Sequence, residues 1–174
     1  MFFIQMSGFP GSGKSTLALE IAKRINCVIV DHDIVKSALL NSVEDSQLDG
    51  KQAGKISYNI DFSLVDFYLS QGKNVILDSP CLYDEMLEKG MAIARTNNAR
   101  YKYIECYLAD FDEINNRLKN RVNKISQITQ VENKDIFYTT IKNSKKPANL
   151  TCLTVKTDNP LHTYIDDVLN YIYS

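Results

Sequence analysis

The sequence lacks long apolar runs, paired-cysteine motifs and histidine clusters, and each absence argues against a class of protein. No apolar segment approaches the roughly 20 residues that cross a bilayer, so we expect no membrane association. The opening "MFFIQM" has neither a basic leader nor a small-residue cleavage site, and we expect no signal peptide. His32 and His162 are isolated and lack metal-ligand spacing, which favours structural roles. Without a C-x-x-C pair, the four cysteines are predicted to be reduced thiols in or near strands, as suits a cytoplasmic protein. They are Cys27, Cys81, Cys106 and Cys152.

Length and charge describe one domain with an uneven charge distribution. The 174 residues show no repeat and no linker, so we expect a single domain over 1–174, as a monomer or homodimer. The net charge of −1 conceals a basic segment at 117–146, with eight Lys/Arg against two Asp/Glu. That segment carries +6 and leaves −7 for the rest of the chain. This distribution favours one local anion over a long polyanion as the ligand. The alternative is a solvated, salt-bridged surface helix.

Apolar runs alternate with helical periodicity along the chain, which predicts an α/β fold. The predicted strands are "FFIQM", "CVIV", "NVILD", "YKYIECYL" and "LTCLTV". We predict helices from Lys14, over 34–40, 56–70, 83–98 and 110–122, and within 134–143. A last helix is predicted to start at Pro160, with Asp158 or Asn159 as its cap. The polar stretch at 41–54 is predicted to be a loop or mobile cover. The result is a five-stranded parallel sheet with helices on both faces.

The stretch "GFPGSGKS" fits the phosphate-binding pattern G-x-x-x-x-G-K-[ST] and lies between a predicted strand and a predicted helix. Glycines allow backbone N–H groups to turn inward around a β-phosphate, and the helix directs its positive end at the same anion. Lys14 is expected to reach the β- and γ-oxygens and to be exposed without ligand, whereas the Ser15 hydroxyl is expected to bind Mg²⁺. The predicted nucleotide-binding residues are Gly8, Pro10, Gly11, Ser12, Gly13, Lys14, Ser15 and Thr16.

Acidic residues follow the second and third predicted strands, where ligands of open α/β sheets collect. Asp31 and Asp33 follow "CVIV", and Asp33 is a candidate general base for an attacking hydroxyl. Lys36, one helical turn later, is a candidate for neutralising charge on the acceptor or the moving phosphoryl group. Asp78, which ends "NVILD", is a candidate for organising Mg²⁺ or for bracing the base. The alternatives are helix caps for the aspartates and a surface position for the lysine.

Two arginines open the basic segment and share one helix face. Arg117 and Arg121 are four residues apart, which suits a closing lid over about 117–146 that clamps a triphosphate. Solvated surface arginines are the alternative. The loop in "TVKTDNP", after the fifth strand, is expected to lie beside the phosphate cradle and near an adenine.

Taken in order, "SGFPGSGKSTLA", "DHDIVK", "VILDSP" and "DEINNRLKNR" resemble the P-loop kinases of the predicted-kinase and polynucleotide-kinase type. Zeta toxins and chloramphenicol phosphotransferase are relatives of that group. The resemblance implies Asp33 as general base and Arg117 and Arg121 as lid arginines. Lys36 stands where polynucleotide kinases have arginine, which weakens a bidentate phosphate contact. "DHD" is also similar to shikimate kinase, but "DSP" replaces that family's glycine triplet and argues against shikimate as the acceptor.

These features predict an ATP–Mg²⁺-dependent kinase that phosphorylates a hydroxyl of a small molecule. The chain has no N-K-x-D guanine motif, which argues against a signalling GTPase. A polynucleotide 5′-hydroxyl kinase and an ATP-binding regulatory module without transfer activity stay open as alternatives.

Overall fold

The computed structural model describes residues 1–43 and 48–174, and within them five parallel strands form one sheet in the order β2-β3-β1-β4-β5. The strands are β1 (Phe2–Ser7), β2 (Cys27–Asp31), β3 (Asn74–Asp78), β4 (Arg100–Tyr107) and β5 (Cys152–Lys156). The helices are α1 (Lys14–Arg24), α2 (His32–Ser42), α3 (Gly50–Ser70), α4 (Asp84–Thr96), α5 (Phe111–Asn120), α6 (Lys134–Lys142) and α7 (Ile165–Tyr173). The predicted α/β class with a five-stranded parallel sheet is confirmed.

Helices cover both faces of the sheet, and every residue of the central strand β1 is buried. In β1, Ile4 and its neighbours of the same face pack with Leu17 of α1 and Val168 of α7. Phe3 faces the other way and packs with Phe62 of α3 and other residues of α3 and α4. Burial on two sides is typical of strands in parallel sheets.

A smaller third core lies under the predicted lid. Leu118 of α5 and Phe137 of α6 are fully buried, and Phe9 of the phosphate-binding loop packs against this cluster. The Phe9 and Phe137 rings meet edge to face with centroids 4.9 Å apart. Contacts of this kind connect the position of α5 and α6 to the loop after β1.

The carboxyl ends of the three neighbouring strands β2, β3 and β1 lie together at one edge of the sheet. Asp31 and Asp78, the last residues of β2 and β3, are direct register partners. Because β1 ends at Ser7 on the same edge, the glycine-rich turn that follows it faces these carboxylates. The fold therefore assembles the sequence-predicted site from segments that are far apart along the chain.

The predicted loop over 41–54 is wrong at both ends of the stretch. Helix α2 continues to Ser42, and α3 begins at Gly50, six residues before the predicted start. Asp49 caps α3 by accepting hydrogen bonds from the backbone N–H groups of Lys51 and Gln52. In return, the Gln52 side-chain oxygen accepts a hydrogen bond from the backbone N–H of Asp49. This capping box outweighs the two glycines of the first turns. Residues 44–47 of the predicted loop lie outside the described residues.

The predicted start of the last helix is also wrong. Pro160 precedes a 3₁₀ turn at Leu161–Thr163, and α7 begins only at Ile165, so neither Asp158 nor Asn159 caps it. The prediction for the cysteines is confirmed, since all four thiols are free. No helix among the described residues is long and apolar enough to cross a membrane.

Candidate active site

The glycine-rich turn between β1 and α1 adopts a conformation that other residues would strain. Gly8, Gly11 and Gly13 have φ values of 133°, 85° and 90°, in the left-handed region that favours glycine. A Cβ at Gly8 would overlap the carbonyl oxygen of Cys106 in β4. Gly13 is the N-cap of α1 without a side-chain cap, so the first N–H groups of the helix have no capping side chain. These groups can receive an anion.

Lys14 is buried, which corrects the expectation that it is exposed without ligand. Only 9% of the residue is accessible, and its ammonium group donates to the carbonyl oxygens of Gly8 (2.9 Å) and Phe9 (3.1 Å). Burial lowers the pKa of Lys14, and the negative charges of Asp78 and Asp33 oppose that shift. Lys14 therefore lies near both carboxylates and beside the glycine-rich turn, where its ammonium group can bind phosphate oxygens.

Ser15 and Asp78 supply the oxygen donors that Mg²⁺ prefers. Asp78 is 5% exposed; burial raises the pKa of its carboxyl, whereas the charge of Lys14 and a hydrogen bond from Ser15 lower it. Asp78 does not cap a helix, since the N-cap of α4 is Tyr83. Among the described residues no group of three or more His, Cys, Asp or Glu could hold a metal. Mg²⁺ in kinases needs only one or two protein oxygens beside phosphates and waters, so this donor pair fits the ion.

Asp31 and Asp33 have different roles in the structure. Asp31 is the N-cap of α2 and accepts hydrogen bonds from the N–H groups of Asp33 (2.8 Å) and Ile34 (3.2 Å). The Asp33 side chain instead accepts from the Gln127 amide (2.6 Å) and the Ser126 hydroxyl (3.4 Å). The cap alternative for Asp33 is therefore wrong, and its carboxylate faces the segment that follows α5.

Arg117 and Arg121 both line the cavity above the phosphate-binding turn. Arg117 donates to Glu113 (2.7 Å) and to the carbonyl oxygen of Thr157 (2.9 Å), the residue after β5. This contact agrees with the expected position of the loop after β5 beside the cradle. Arg121 follows the end of α5; burial lowers its pKa, and the charge of Asp33 opposes the shift. Arg121 donates to the Asn123 side chain and to the carbonyl oxygen of Ile128, each at 2.8 Å. Both guanidinium groups therefore have protein partners, and their role as lid arginines stays a prediction.

One cavity of about 1380 Å³ collects most of the predicted residues. It is lined by Pro10, Gly11, Gly13, Lys14, Ser15, Thr16, Asp33, Lys36, Asp78, Arg117 and Arg121. Gly8 and Ser12 do not line it: Gly8 lies against β4, and the Ser12 hydroxyl is buried without a hydrogen-bond partner among the described residues. Ligand pockets commonly measure about 300–1,000 Å³, so this cavity has room for two ligands at once.

The cavity concentrates positive charge. Its lining among the described residues includes eight Lys or Arg side chains and three Asp or Glu side chains, a net +5 in a chain of net charge −1. The rest of the chain then carries −6. The cavity is therefore suited to a polyanionic small ligand.

Sequence reasoning missed two groups of cavity residues. Ser126 and Gln127 contact Asp33 across more than ninety positions of the sequence, and no local motif indicates this contact. His32 lines the cavity, with its Nδ1 2.6 Å from the fully buried carboxylate of Asp61 and its ring stacked on Tyr58 at 3.9 Å. The aspartate Asp61, beside Phe62, Val65 and Leu69 on the buried face of α3, was the available signal for the second group.

A family model described as "AAA domain" matches residues 3–136, which is more than three quarters of the chain and includes the glycine-rich turn, Asp33 and Asp78. The chain belongs to this AAA-domain family. No curated protein matches it.

Solved structures share the fold over nearly the whole length of the chain. A candidate kinase from Chloroflexus aurantiacus is 16% identical with a TM-score of 0.76, covering 98% of this chain and 97% of its own. A sugar kinase from Janibacter sp. is 11% identical with a TM-score of 0.70, covering 99% and 95%. The APS kinase CysC of Mycobacterium tuberculosis, in complex with AMPPNP and APS, is 12% identical with a TM-score of 0.65, covering 99% and 98%. The protein therefore has the fold of the P-loop kinases. The narrower resemblance to polynucleotide kinases, zeta toxins and chloramphenicol phosphotransferase stays a prediction.

Proposed function

We propose that this AAA-domain protein is a kinase that transfers the γ-phosphoryl group of ATP to a hydroxyl of a small-molecule acceptor. The support comes from one cavity, which is lined by the cradle residues Lys14 and Ser15 together with Asp33, Asp78 and Arg121. These side chains match the parts that phosphoryl transfer needs: a phosphate cradle, oxygen donors for a metal, a base and a mobile cation.

Asp33 is the proposed general base. The acceptor oxygen attacks the γ-phosphorus and forms a new O–P bond, while the bond to the β–γ bridging oxygen breaks and ADP leaves. The proton of the acceptor hydroxyl passes to the Asp33 carboxylate. Because Asp31 already caps α2, Asp33 is available for this work. Its two carboxylate oxygens accept one hydrogen bond each, from Ser126 and Gln127, and each keeps a second lone pair for the acceptor.

Positive groups oppose the charge on the transferring phosphoryl group. Lys14 would leave the carbonyl oxygens of Gly8 and Phe9 and donate to the β- and γ-oxygens. Arg121 and Lys36 would approach from the lid and from α2. Ser15 and Asp78 would hold Mg²⁺, directly or through its water, and the ion would neutralise charge on the β- and γ-phosphates.

Acceptor-stimulated turnover tests this function. ADP release from ATP–Mg²⁺ is measured alone and with a panel of sugars, polyols, nucleosides, organic acids, antibiotics and oligonucleotides with 5′-hydroxyl ends. A kinase should show a slow basal rate and a strong increase with its acceptor, together with a product that carries the labelled γ-phosphate. Turnover that no acceptor changes would contradict the kinase and favour a regulatory ATP-binding module. Stimulation by oligonucleotides alone would favour the polynucleotide kinase.

A further inference from the structure

One stripe of helix α3 forms a side of the cavity, the α3 side. Lys51, Lys55, Tyr58 and Phe62 follow each other at steps of three or four residues, so they share one helix face. Lys36 of α2 lines the same cavity. Among the described residues, no carboxylate lies within 4 Å of the ammonium groups of Lys36, Lys51 and Lys55. The described lining of the whole cavity has only three acidic side chains, Asp33, Asp78 and Glu85, against eight Lys or Arg side chains.

Gly54 lies within this stripe and has no packing reason to be glycine. It is inside a long helix, where glycine is among the poorest helix formers. A Cβ at Gly54 would meet nothing within 4 Å among the described residues, so close packing does not require its absence. Since Gly54 lines the cavity, its missing side chain leaves open space on the cavity side of α3. A bound ligand that approaches the helix here would explain the glycine.

Apolar and aromatic side chains form the remaining wall. Leu82 and Tyr83, in the turn before α4, line the cavity while 43% and 55% exposed. The stack of His32 on Tyr58 also lines the cavity; it is held by the buried Asp61 carboxylate and by a hydrogen bond from the Tyr58 hydroxyl to the carbonyl oxygen of Pro80 (3.1 Å). Rigid aromatic walls of this kind suit a flat or apolar part of a ligand.

We propose that the α3 side of the cavity is the acceptor subsite and that the acceptor is an anionic hydroxyl compound. Lys51 and Lys55 bind a phosphate, sulfate or carboxylate group of the acceptor, and the walls around Tyr58 and Tyr83 hold its flat or apolar part. The hydroxyl that receives the phosphoryl group then lies on the side of Asp33. This assignment rests on the proposed kinase function for the word acceptor, although anion binding at the subsite does not require turnover.

Binding of simple probes tests the subsite directly. The protein is saturated with AMP-PNP and Mg²⁺ to occupy the cradle, and phenyl phosphate, benzoate and benzyl alcohol are titrated by calorimetry and by amide chemical shifts. Phenyl phosphate should bind at least about tenfold more tightly than benzyl alcohol, because charge-assisted hydrogen bonds to lysine supply that difference. Benzoate binding as tightly as phenyl phosphate would identify a carboxylate site, and weaker benzoate binding would identify a phosphate or sulfate site.

Three variants connect the binding to the named residues. The double variant Lys51→Glu/Lys55→Glu should weaken phenyl phosphate binding about tenfold or more, whereas AMP-PNP affinity should fall less, because the proposed nucleotide contacts come from Lys14 and the glycine-rich turn. Gly54→Leu should also weaken it, with equal or higher thermal stability because leucine favours the helix. Lys73→Glu, just after the exposed turn that ends α3, makes the same change at one site outside the cavity, and phenyl phosphate binding should stay within about twofold.

Equal binding of phenyl phosphate and benzyl alcohol, or unchanged phenyl phosphate binding in the double variant, would overturn the proposal. Failure of the kinase function has a different signature. If the protein binds phenyl phosphate as expected but never transfers phosphate, the anion subsite is supported and the kinase function is refuted. If it is a kinase that prefers neutral acceptors, the kinase function is supported and the anion subsite is refuted.

Discussion

Replacement of Asp33 by asparagine separates binding from chemistry more sharply than any other change in the site. Asparagine keeps the size of the side chain, and its carbonyl oxygen can still accept the hydrogen bond that Gln127 donates at 2.6 Å. It cannot accept the proton of the acceptor hydroxyl. General-base assistance is worth about 10²- to 10⁴-fold, or roughly 3 to 5 kcal/mol of the activation free energy, so single-turnover transfer should fall by that factor.

Stability and nucleotide affinity should change little in Asp33→Asn. The cap of α2 is Asp31, which accepts both N–H groups and is untouched by the substitution. The proposed phosphate contacts come from Lys14 and the glycine-rich turn, which are other parts of the cavity. Calorimetry with AMP-PNP and Mg²⁺, thermal unfolding and single-turnover transfer on one preparation measure all three quantities.

Asp31→Asn is the matched control for Asp33→Asn. Asparagine caps helices about as well as aspartate, so the control loses only the partly exposed ion pair with Lys124 (3.3 Å), worth at most about 1 kcal/mol. It should retain transfer within about tenfold, well above the Asp33 variant. Normal transfer by Asp33→Asn would refute Asp33 as the base. If AMP-PNP affinity is lost in the same variant, Asp33 would instead be assigned to Mg²⁺ binding, and Asp78 would become the candidate general base.

Four further predictions follow from the same geometry. Lys14→Ala should largely abolish transfer and keep a cooperative thermal transition; transfer at the normal rate would show that the cradle has no catalytic part. Proteolysis between Lys119 and Lys134 should slow with ATP–Mg²⁺, and equal cutting at saturating nucleotide would argue against a closing lid. A single-stranded oligonucleotide at physiological salt should neither compete with ATP nor stimulate turnover, because the chain outside the cavity is net −6; tight binding would contradict the small acceptor. Burial raises the pKa of Cys81 to about 11 and of Cys106 to about 12, so a thiol reagent at pH 8 should label both slowly, faster as the pH rises; rapid labelling of the native protein would contradict this burial.

The local parts of the fold and site could be predicted from the sequence because their determinants are adjacent along the chain. The cradle is one contiguous motif, and the strands on either side of it are short apolar runs. The start of α3 at Gly50 was missed for a physical reason: its first turns carry two glycines, which favour a loop, while the Asp49–Gln52 capping box favours a helix. The box was visible in the sequence and would have predicted the start.

Contacts between distant segments could not be predicted in the same way. The hydrogen bonds from Ser126 and Gln127 to Asp33 depend on where α5 ends above the sheet, and no spacing rule encodes that position. The burial of Lys14 depends on backbone carbonyl groups, which every residue carries and which leave no trace in a sequence pattern. The 117–146 boundary of the lid, the single-domain organisation, a monomeric or dimeric state and a cytoplasmic location stay predictions.

The contacts of the segment after α5 join lid position and chemistry in one place. Lys124 pairs with Asp31, Ser126 lies 2.9 Å from the Ser37 hydroxyl, and Gln127 donates to Asp33, so these contacts end on the last residue of β2 or on α2. An acceptor that binds at Asp33 therefore meets the same carboxylate that holds this segment. We predict that acceptor binding and lid position are coupled, so proteolysis of the lid should be measured with acceptor as well as with nucleotide.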